Sequence, residues 1–513
     1  MSGTSPRLLA LRLLAPRPLA LRRPTLPLLA LCLATLSLSA LAPRASAASR
    51  LTVTTALQRL QKSGAITPAA ASQYQGAYNS ARSAFRKLSG TRASELGAVL
   101  GNVEAMARGG RLIASRLPVV FTTLQRNTQW WTTERLLGAD QRVSLAGSRL
   151  VWEYYPGQGI EIQWLASFGK ANGYFLDKEF TALKELLGEA IPLATQRAGG
   201  IAWEYMFQFD GGVPPWTSGL SQGTALQVLA RTWSVTHEQV YLTAAEQALG
   251  VFEVSPPVGV RVATPAGAHY LEYTYAPSER ILNGFIQSLV GLYEYTKITK
   301  DPLGQQLFEA GDVEARAEVP HYNTGAWSMY DQHSESDLNY HELLAEFLEH
   351  LCEKTGKGEP LNPTTGRIPG DSVYCTTATE FRQDEKTPPV VELLTQSVGT
   401  NERAGVQIKL SKVSSVSMVI KLGEKTVWTN DVTVEGGRPR LLWVTPSKAG
   451  SYSVGIKAVD LAGNETVATG TILVKAAARA KAKGARAASL SARVANGTAG
   501  ARISPPARPQ PAL

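Results

Sequence analysis

The stretch from Arg280 to Ile298 constrains this chain most. Ile281, Leu282, Phe285, Ile286, Leu289, Leu292 and Tyr293 fall so that, at 3.6 residues per turn, they cover most of a helix's circumference. A helix that is apolar on nearly every side is stable only inside a shell of other helices. The chain supplies candidates for that shell. Thr67-Pro68 reads as an N-cap with proline at the first helical position, and Tyr74, Tyr78, Ala81, Phe85 and Leu88 follow at three- and four-residue steps. Leu96, Val99, Leu100, Val103 and Met106 repeat the stripe. Leu226, Leu229 and Trp233 mark a further helix, as do Ala244, Ala248 and Phe252, and then Leu344, Phe347, Leu348 and Leu351. Two stretches break the helical period: Arg142 to Tyr155 and Val258 to Tyr275 read as short strands, with helices resuming near Asp177. Helix pairs with β-hairpins between them predict a mainly α, (α/α) toroid over residues 48–386, with inner helices buried and function carried by loops at one end.

The period changes again after residue 387. Val406, Ile408 and Leu410 alternate with polar residues, as do Val416, Met418 and Ile420, and Tyr452, Val454, Ile456 and Ala458. Gly423-Glu424, Gly436-Gly437 and Ala462-Gly463-Asn464 supply turns. Residues 387–475 therefore predict a small Ig-like β-sandwich, a spacer or adhesion module without catalytic residues.

Both ends stand outside this plan. Five arginines before residue 24, the apolar run Leu26 to Leu41 and Ala45-Ser46-Ala47 make residues 1–47 a secretory signal peptide, which predicts a secreted or cell-surface protein with no stable membrane span after cleavage. Residues 476–513, rich in Ala, Pro, Lys and Arg, predict a disordered basic tail. These ends explain the formal charge of +10: with their 13 basic residues set aside, 39 basic face 42 acidic side chains. A near-neutral body calls for no nucleic-acid partner. Of three cysteines, Cys32 lies in the leader, and Cys352 with Cys375 forms an even pair suited to a disulfide in an oxidising compartment. No His/Cys grouping has zinc spacing, so no metal is expected.

Three polar-aromatic clusters interrupt the helical body: Trp216 to Gly223, His269 to Tyr273 followed by Arg280 to Phe285, and Asn323 to Asp331 followed by Asn339 to Glu342. Taken singly, each also suits plain packing, with Gly219 and Gly223 allowing close helix approach. In order, WTSGLSQGTALQVLARTW, LEYTYAPSERILNGFIQSLVGLYEY, and NTGAWSMYD with NYH resemble the C-terminal domain of the D-glucuronyl C5-epimerases over roughly residues 150–355. That resemblance implies a toroid and inversion at C5 of a uronic acid in an extracellular polysaccharide, without a cofactor. It implies Glu272, Tyr273, Tyr330 and Tyr340 as catalytic residues. Trp216, Ser218, Gln222, Arg280, Asn283, His333 and His341 are the expected substrate contacts.

The chemistry matches those residue types. A proton α to a carboxylate is very weakly acidic, so inversion needs a base on one face, an acid on the other, and donors to hold the enolate-like charge. Glu272 or Tyr273 is expected to work one face and Tyr330 or Tyr340 the other. A tyrosine acting as base must have its pKa depressed or its proton relayed. The sequence departs from the family at one place. YDLRH is replaced by Tyr330-Asp331-Gln332-His333, so His333 stands where an arginine would grip the uronate, and Arg280 is the candidate substitute. The competing readings are a polysaccharide lyase, which begins with the same proton abstraction, and a non-catalytic carbohydrate-binding toroid.

Overall fold

The computed structural model describes residues 51–355 and 373–476. The leader and the basic tail, like most of the segment between Cys352 and Cys375, lie outside the described residues. Two compact units divide the chain. The first comprises Met1–Tyr322, Tyr330–Gln332 and Glu342–Thr379; the second comprises Asn323–Met329, His333–His341 and Glu380–Leu513.

The first unit opens with α1 (Val53–Lys62), α2 (Pro68–Phe85), α3 (Gly90–Arg108) and α4 (Leu117–Thr133). Thr67 caps α2 as its sequence predicts, its Oγ1 accepting from Ala70 N–H at 3.1 Å. A three-stranded antiparallel sheet follows, of β1 (Arg142–Val143), β2 (Trp152–Tyr155) and β3 (Gly159–Ile162), in that order. The expected hairpin over 142–155 thus extends to Ile162, with its tight turn at Pro156-Gly157-Gln158.

Helices then alternate between buried and half-exposed. The set is α5 (Trp164–Leu176), α6 (Phe180–Ala190), α7 (Gly219–Thr236), α8 (Gln239–Ala248), α9 (Gly250–Glu253), α10 (Leu282–Thr299) and α11 (Pro302–Glu318). Between them lie the hairpins β4 (Thr195–Arg197) with β5 (Gly200–Ala202), and β6 (Arg261–Ala263) with β7 (Ala268–Tyr270). α10 is buried along nearly its whole length, as its all-round apolar pattern requires, and packs on α7. Glycine makes that approach possible: a Cβ on Gly223 would stand 2.6 Å from Ser288 Cα, and one on Gly291 would collide with the Gly223 carbonyl. Two expectations are corrected. Helix resumes at Trp164, not near Asp177, and α11 carries a weaker apolar stripe that the sequence reading passed over. Of the strand-like 258–275, only β6 and β7 pair; the rest is loop.

α12 (Leu338–Thr355) and α13 (Val373–Asp384) follow, and Cys352 is bonded to Cys375 as expected. Most of α12 and of α13 falls in the first unit; after α13 the second unit is β. It comprises β8 (Val391–Leu393), β9 (Ser397–Gly399), β10 (Arg403–Leu410), β11 (Ser414–Leu422), β12 (Lys425–Val434), β13 (Arg440–Val444), β14 (Gly450–Asp460) and β15 (Glu465–Lys475). Sheets of order β13-β10-β8 and β12-β11-β14-β15-β9 share one apolar core, in which Ile408, Met418, Trp443, Tyr452 and Ile456 are almost fully buried. The alternating residues named from sequence are those core positions, because a period of two puts every second side chain on one face. Among the described residues, no helix is long and apolar enough to cross a membrane.

Candidate active site

Glu272 is placed by backbone pairing just after β7. The chain from Leu271 to Thr274 runs beside the start of α7: Gly219 N–H donates to Leu271 O at 2.9 Å, Thr274 N–H to Thr217 O at 3.2 Å, and Thr217 N–H to Thr274 Oγ1 at 3.1 Å. A side chain at Gly219 would force this contact open, since its Cβ would sit 2.6 Å from Leu271 O. The segment before α7 is fixed at its base by Glu204, whose fully buried carboxylate takes a bidentate pair from Arg116 (2.6 and 2.9 Å) and a further contact from Arg197.

The Glu272 side chain is 2 % exposed and lies against the first turn of α10. A Cβ on Gly284 would be 2.5 Å from its Oε2. Burial pushes its carboxyl up to about 8; the Tyr273 hydroxyl opposes the shift by hydrogen bonding, and the charge of Glu279 adds to it. No cation is among these influences. Around it, several buried polar atoms lack any protein partner: Glu272 Oε2, Gln222 Oε1, Asn283 Nδ2 and Tyr275 Oη. Folded proteins rarely leave such atoms unpaired, because each costs about 1–3 kcal/mol. Their concentration at one place marks a site built to receive polar groups from outside the chain.

An aromatic wall runs from this carboxyl to the β2–β3 sheet. Trp216 meets Tyr273 and Tyr275 edge-on, with ring centroids 5.7 and 5.3 Å apart, and stacks on Tyr205 at 4.2 Å. Phe207 lies 5.9 Å from Trp216 and stacks on Tyr155 at 4.6 Å. Burial raises the hydroxyl pKa values of Tyr155, Tyr205 and Tyr275. These three phenols therefore hold their protons at neutral pH and serve as donors, contrary to the depression that a tyrosine base requires. Glu272 is the group with a pKa suited to a base.

Glu272, Tyr273, Trp216, Ser218, Gln222 and Asn283 are thus neighbours in the first unit. Ser218 caps α7, its Oγ accepting from Ser221 N–H at 3.4 Å, and Gln222 Nε2 donates to Trp203 O and Thr217 Oγ1. Tyr330 reaches the same helix start through its backbone, its carbonyl accepting from Leu282 N–H at 3.3 Å. Gln332 bridges Arg280 N–H and Ser278 O, each at 2.9 Å, and so acts as a loop tie. Arg280 does not fill the place of the missing arginine: its charge acts on His269, Glu318 and Tyr322, and its guanidinium donates to Pro277 O.

His333, Tyr340 and His341 belong to the second unit. His333 is exposed, and Tyr340 is half-buried in the first turn of α12. His341 corrects the sequence reading. It is 0 % exposed and stacks on Trp327 at 3.7 Å. Its Nε2–H donates to Phe381 O (3.0 Å) and its Nδ1 accepts from Ser328 N–H (3.2 Å). With both nitrogens engaged, it is a core histidine.

The sequence reading missed the sheet's contribution. Glu153 and Glu161 are cross-strand partners, and both are buried. Glu153 pairs with Arg142 at 2.9 Å, whereas no described residue hydrogen-bonds the Glu161 carboxyl; burial alone drives its pKa well up. Glutamates within WEYY and GIEI, strands otherwise wholly buried, were the available signal.

Residues 198–362 match the family model described as the D-glucuronyl C5-epimerase C-terminus, less than half of the chain. A D-glucuronyl C5-epimerase of Caenorhabditis elegans is 32% identical over 131 residues, which is 23% of this chain and 21% of that protein. An uncharacterized protein of Methanocaldococcus jannaschii is 26% identical over 164 residues, 30% of this chain and 53% of its own length. The chain therefore spans about a fifth and about half of these two relatives. Among solved structures, a GH76 alpha-mannanase of Bacteroides thetaiotaomicron is similar at a TM-score of 0.32 and 12% identity, covering 48% of this chain and 66% of that one.

Proposed function

We propose, on the premise that residues 198–362 belong to the D-glucuronyl C5-epimerase family, that this is an exported enzyme that inverts C5 of a uronic acid within an extracellular polysaccharide. The observation that carries the proposal is the buried carboxyl of Glu272, its Oε2 unpaired and set among unpartnered polar atoms at one end of an aromatic wall. Glu272 takes the C5 proton as carboxylate; the C–H electron pair moves onto the substrate carboxylate as an enediolate. Return of a proton to the opposite face restores the C–H bond with inverted configuration, and no electrons are gained or lost. By family resemblance, Tyr273 and Tyr330 serve as the proton carriers. Flat aromatic faces suit the apolar faces of sugar rings.

The alternation of buried and half-exposed helices supports reading the first unit as an (α/α) toroid. The β-region supports an Ig-like display module. There Tyr452, in the penultimate strand, turns its hydroxyl back to Lys448 O at 2.7 Å, in the manner of a tyrosine corner. The leader supports export.

The test is incubation of the mature chain with heparosan-like and other uronate polymers in deuterated water. Deuterium appearing at C5 without chain cleavage is the expected result. An unsaturated-uronate absorbance identifies a lyase instead, and no change with any uronate polymer overturns the proposal.

A further inference from the structure

Resting on that reading, a question of charge follows. The enediolate carries more negative charge than the bound uronate, yet the influences acting on Glu272 are Tyr273 and Glu279, neither of them cationic. Arg280 is engaged elsewhere: its charge acts on Glu318 and its guanidinium donates to Pro277 O.

The start of α10 offers a neutral alternative. In its first turn, Leu282 N–H donates to Tyr330 O, Gly284 N–H to Asn283 Oδ1 at 2.9 Å, and Phe285 N–H to Ile281 O at 3.2 Å. The Asn283 amide is thereby oriented by its oxygen. Its Nδ2, on a residue only 3 % exposed, is left without a partner. The next residue is Gly284, against which the Glu272 carboxyl rests. Base and donor thus meet across one residue of helix. That suits a substrate in which the acidic C5 and its carboxylate are one bond apart. α10 is 18 residues long, so the positive end of its dipole adds to the donor.

We propose that Asn283 Nδ2, at the N-terminus of α10, is the group that holds the uronate carboxylate and its enediolate, in place of the arginine this chain lacks. Its oxygen already satisfies the local backbone, and its nitrogen satisfies nothing in the protein.

The test uses Asn283→Asp and Asn283→Leu in the full mature chain. The first keeps the oxygen that accepts from Gly284 N–H and removes the donor. The second removes the donor without adding charge. Two readouts are taken: C5 deuterium exchange, and calorimetric affinity for a heparosan-like oligosaccharide and for its carboxyl-reduced counterpart. Exchange is expected to fall at least about 100-fold in both variants, the usual cost of deleting an oxyanion donor. Affinity should fall for the uronate oligosaccharide and hold for the reduced one. Exchange within about threefold of native, or equal weakening toward both oligosaccharides, overturns the inference. If the native chain binds the uronate oligosaccharide but exchanges nothing, the proposed reaction fails while Asn283 is still judged by the affinity difference. A native chain that binds neither overturns both.

Discussion

Two buried polar regions of this protein are built on opposite terms. In the second unit, Lys412 is 1 % exposed, and its ammonium meets Asp460 at 2.8 Å and the carbonyls of Asp384 and Thr387 at 2.6 Å each. Trp327, whose ring lies under that ammonium at 5.1 Å, donates its Nε1–H to Ser336 O, and His341 has both nitrogens engaged. In the first unit, the surroundings of Glu272 are just as buried but leave one of its carboxyl oxygens, a glutamine oxygen, an asparagine nitrogen and a phenol unpartnered, against a single carboxyl oxygen, Asp384 Oδ2, near Lys412. Saturated partners make a fastener, whereas unsaturated ones make a receptor. The difference teaches that burial of polar residues is uninformative until their partners are counted.

Mutations should separate the two regions by opposite effects. Lys412→Ala should have the largest effect on stability, about 3–5 kcal/mol, because it leaves the buried Asp460 carboxylate without its countercharge and two carbonyls without their donor; denaturant unfolding of the β-region measures it. An unchanged midpoint would break the comparison. Glu272→Gln should do the reverse: C5 exchange falls by a factor on the order of 100 or more, with no loss of stability.

The pH dependence follows from the raised carboxyl of Glu272. Its charged form is the base, so exchange should climb as pH rises through about 8 and flatten above it. The stability effect has the opposite sign. A carboxyl raised from 4.5 to about 8 on folding contributes stability that is complete below the unfolded value and is lost as pH rises through the folded one. The native chain should therefore lose Tm relative to Glu272→Gln between about pH 5 and 8. Parallel melting curves across that window would refute the assignment of a buried titrating base. A change in stability alone is expected at Glu161, whose unbonded, buried carboxyl is likewise raised. Glu161→Gln should gain stability relative to the native chain as pH rises toward 8 and nothing at pH 4, by thermal melts.

Much of this was legible in the chain. The all-round apolar run of α10, the Thr67-Pro68 cap, the strand alternation and the Cys352–Cys375 pair were read from local spacing, because period and capping are local properties. α5 was harder to see: its buried face begins directly after a strand, without a polar break. Within the site, Glu272 and Asn283 were nominated through resemblance, but their chemistry was not visible. Nothing in HYLEY or LNGF states that one carboxyl is buried with an oxygen unpartnered or that one amide nitrogen lacks a partner. His341 was misread because a histidine beside a tyrosine motif looks available until Trp327 is found stacked on it. Glu161 was overlooked because its isolation depends on what the fold keeps away from it.

The sequence by itself determined the helices around an apolar helix, the β-region that follows them and the resemblance of its middle third to a family model. Periodicity and motif spacing survive any arrangement of neighbours, which is why they can be read without one. Only the tertiary structure decided which buried polar atoms are satisfied. It closes Lys412 and His341 into the core of the β-containing unit, and leaves Glu272 Oε2 and, at the start of α10, Asn283 Nδ2 buried without a partner. Hydrogen bonding and desolvation depend on atoms brought together from far apart in the chain, and that information exists only once the chain has folded.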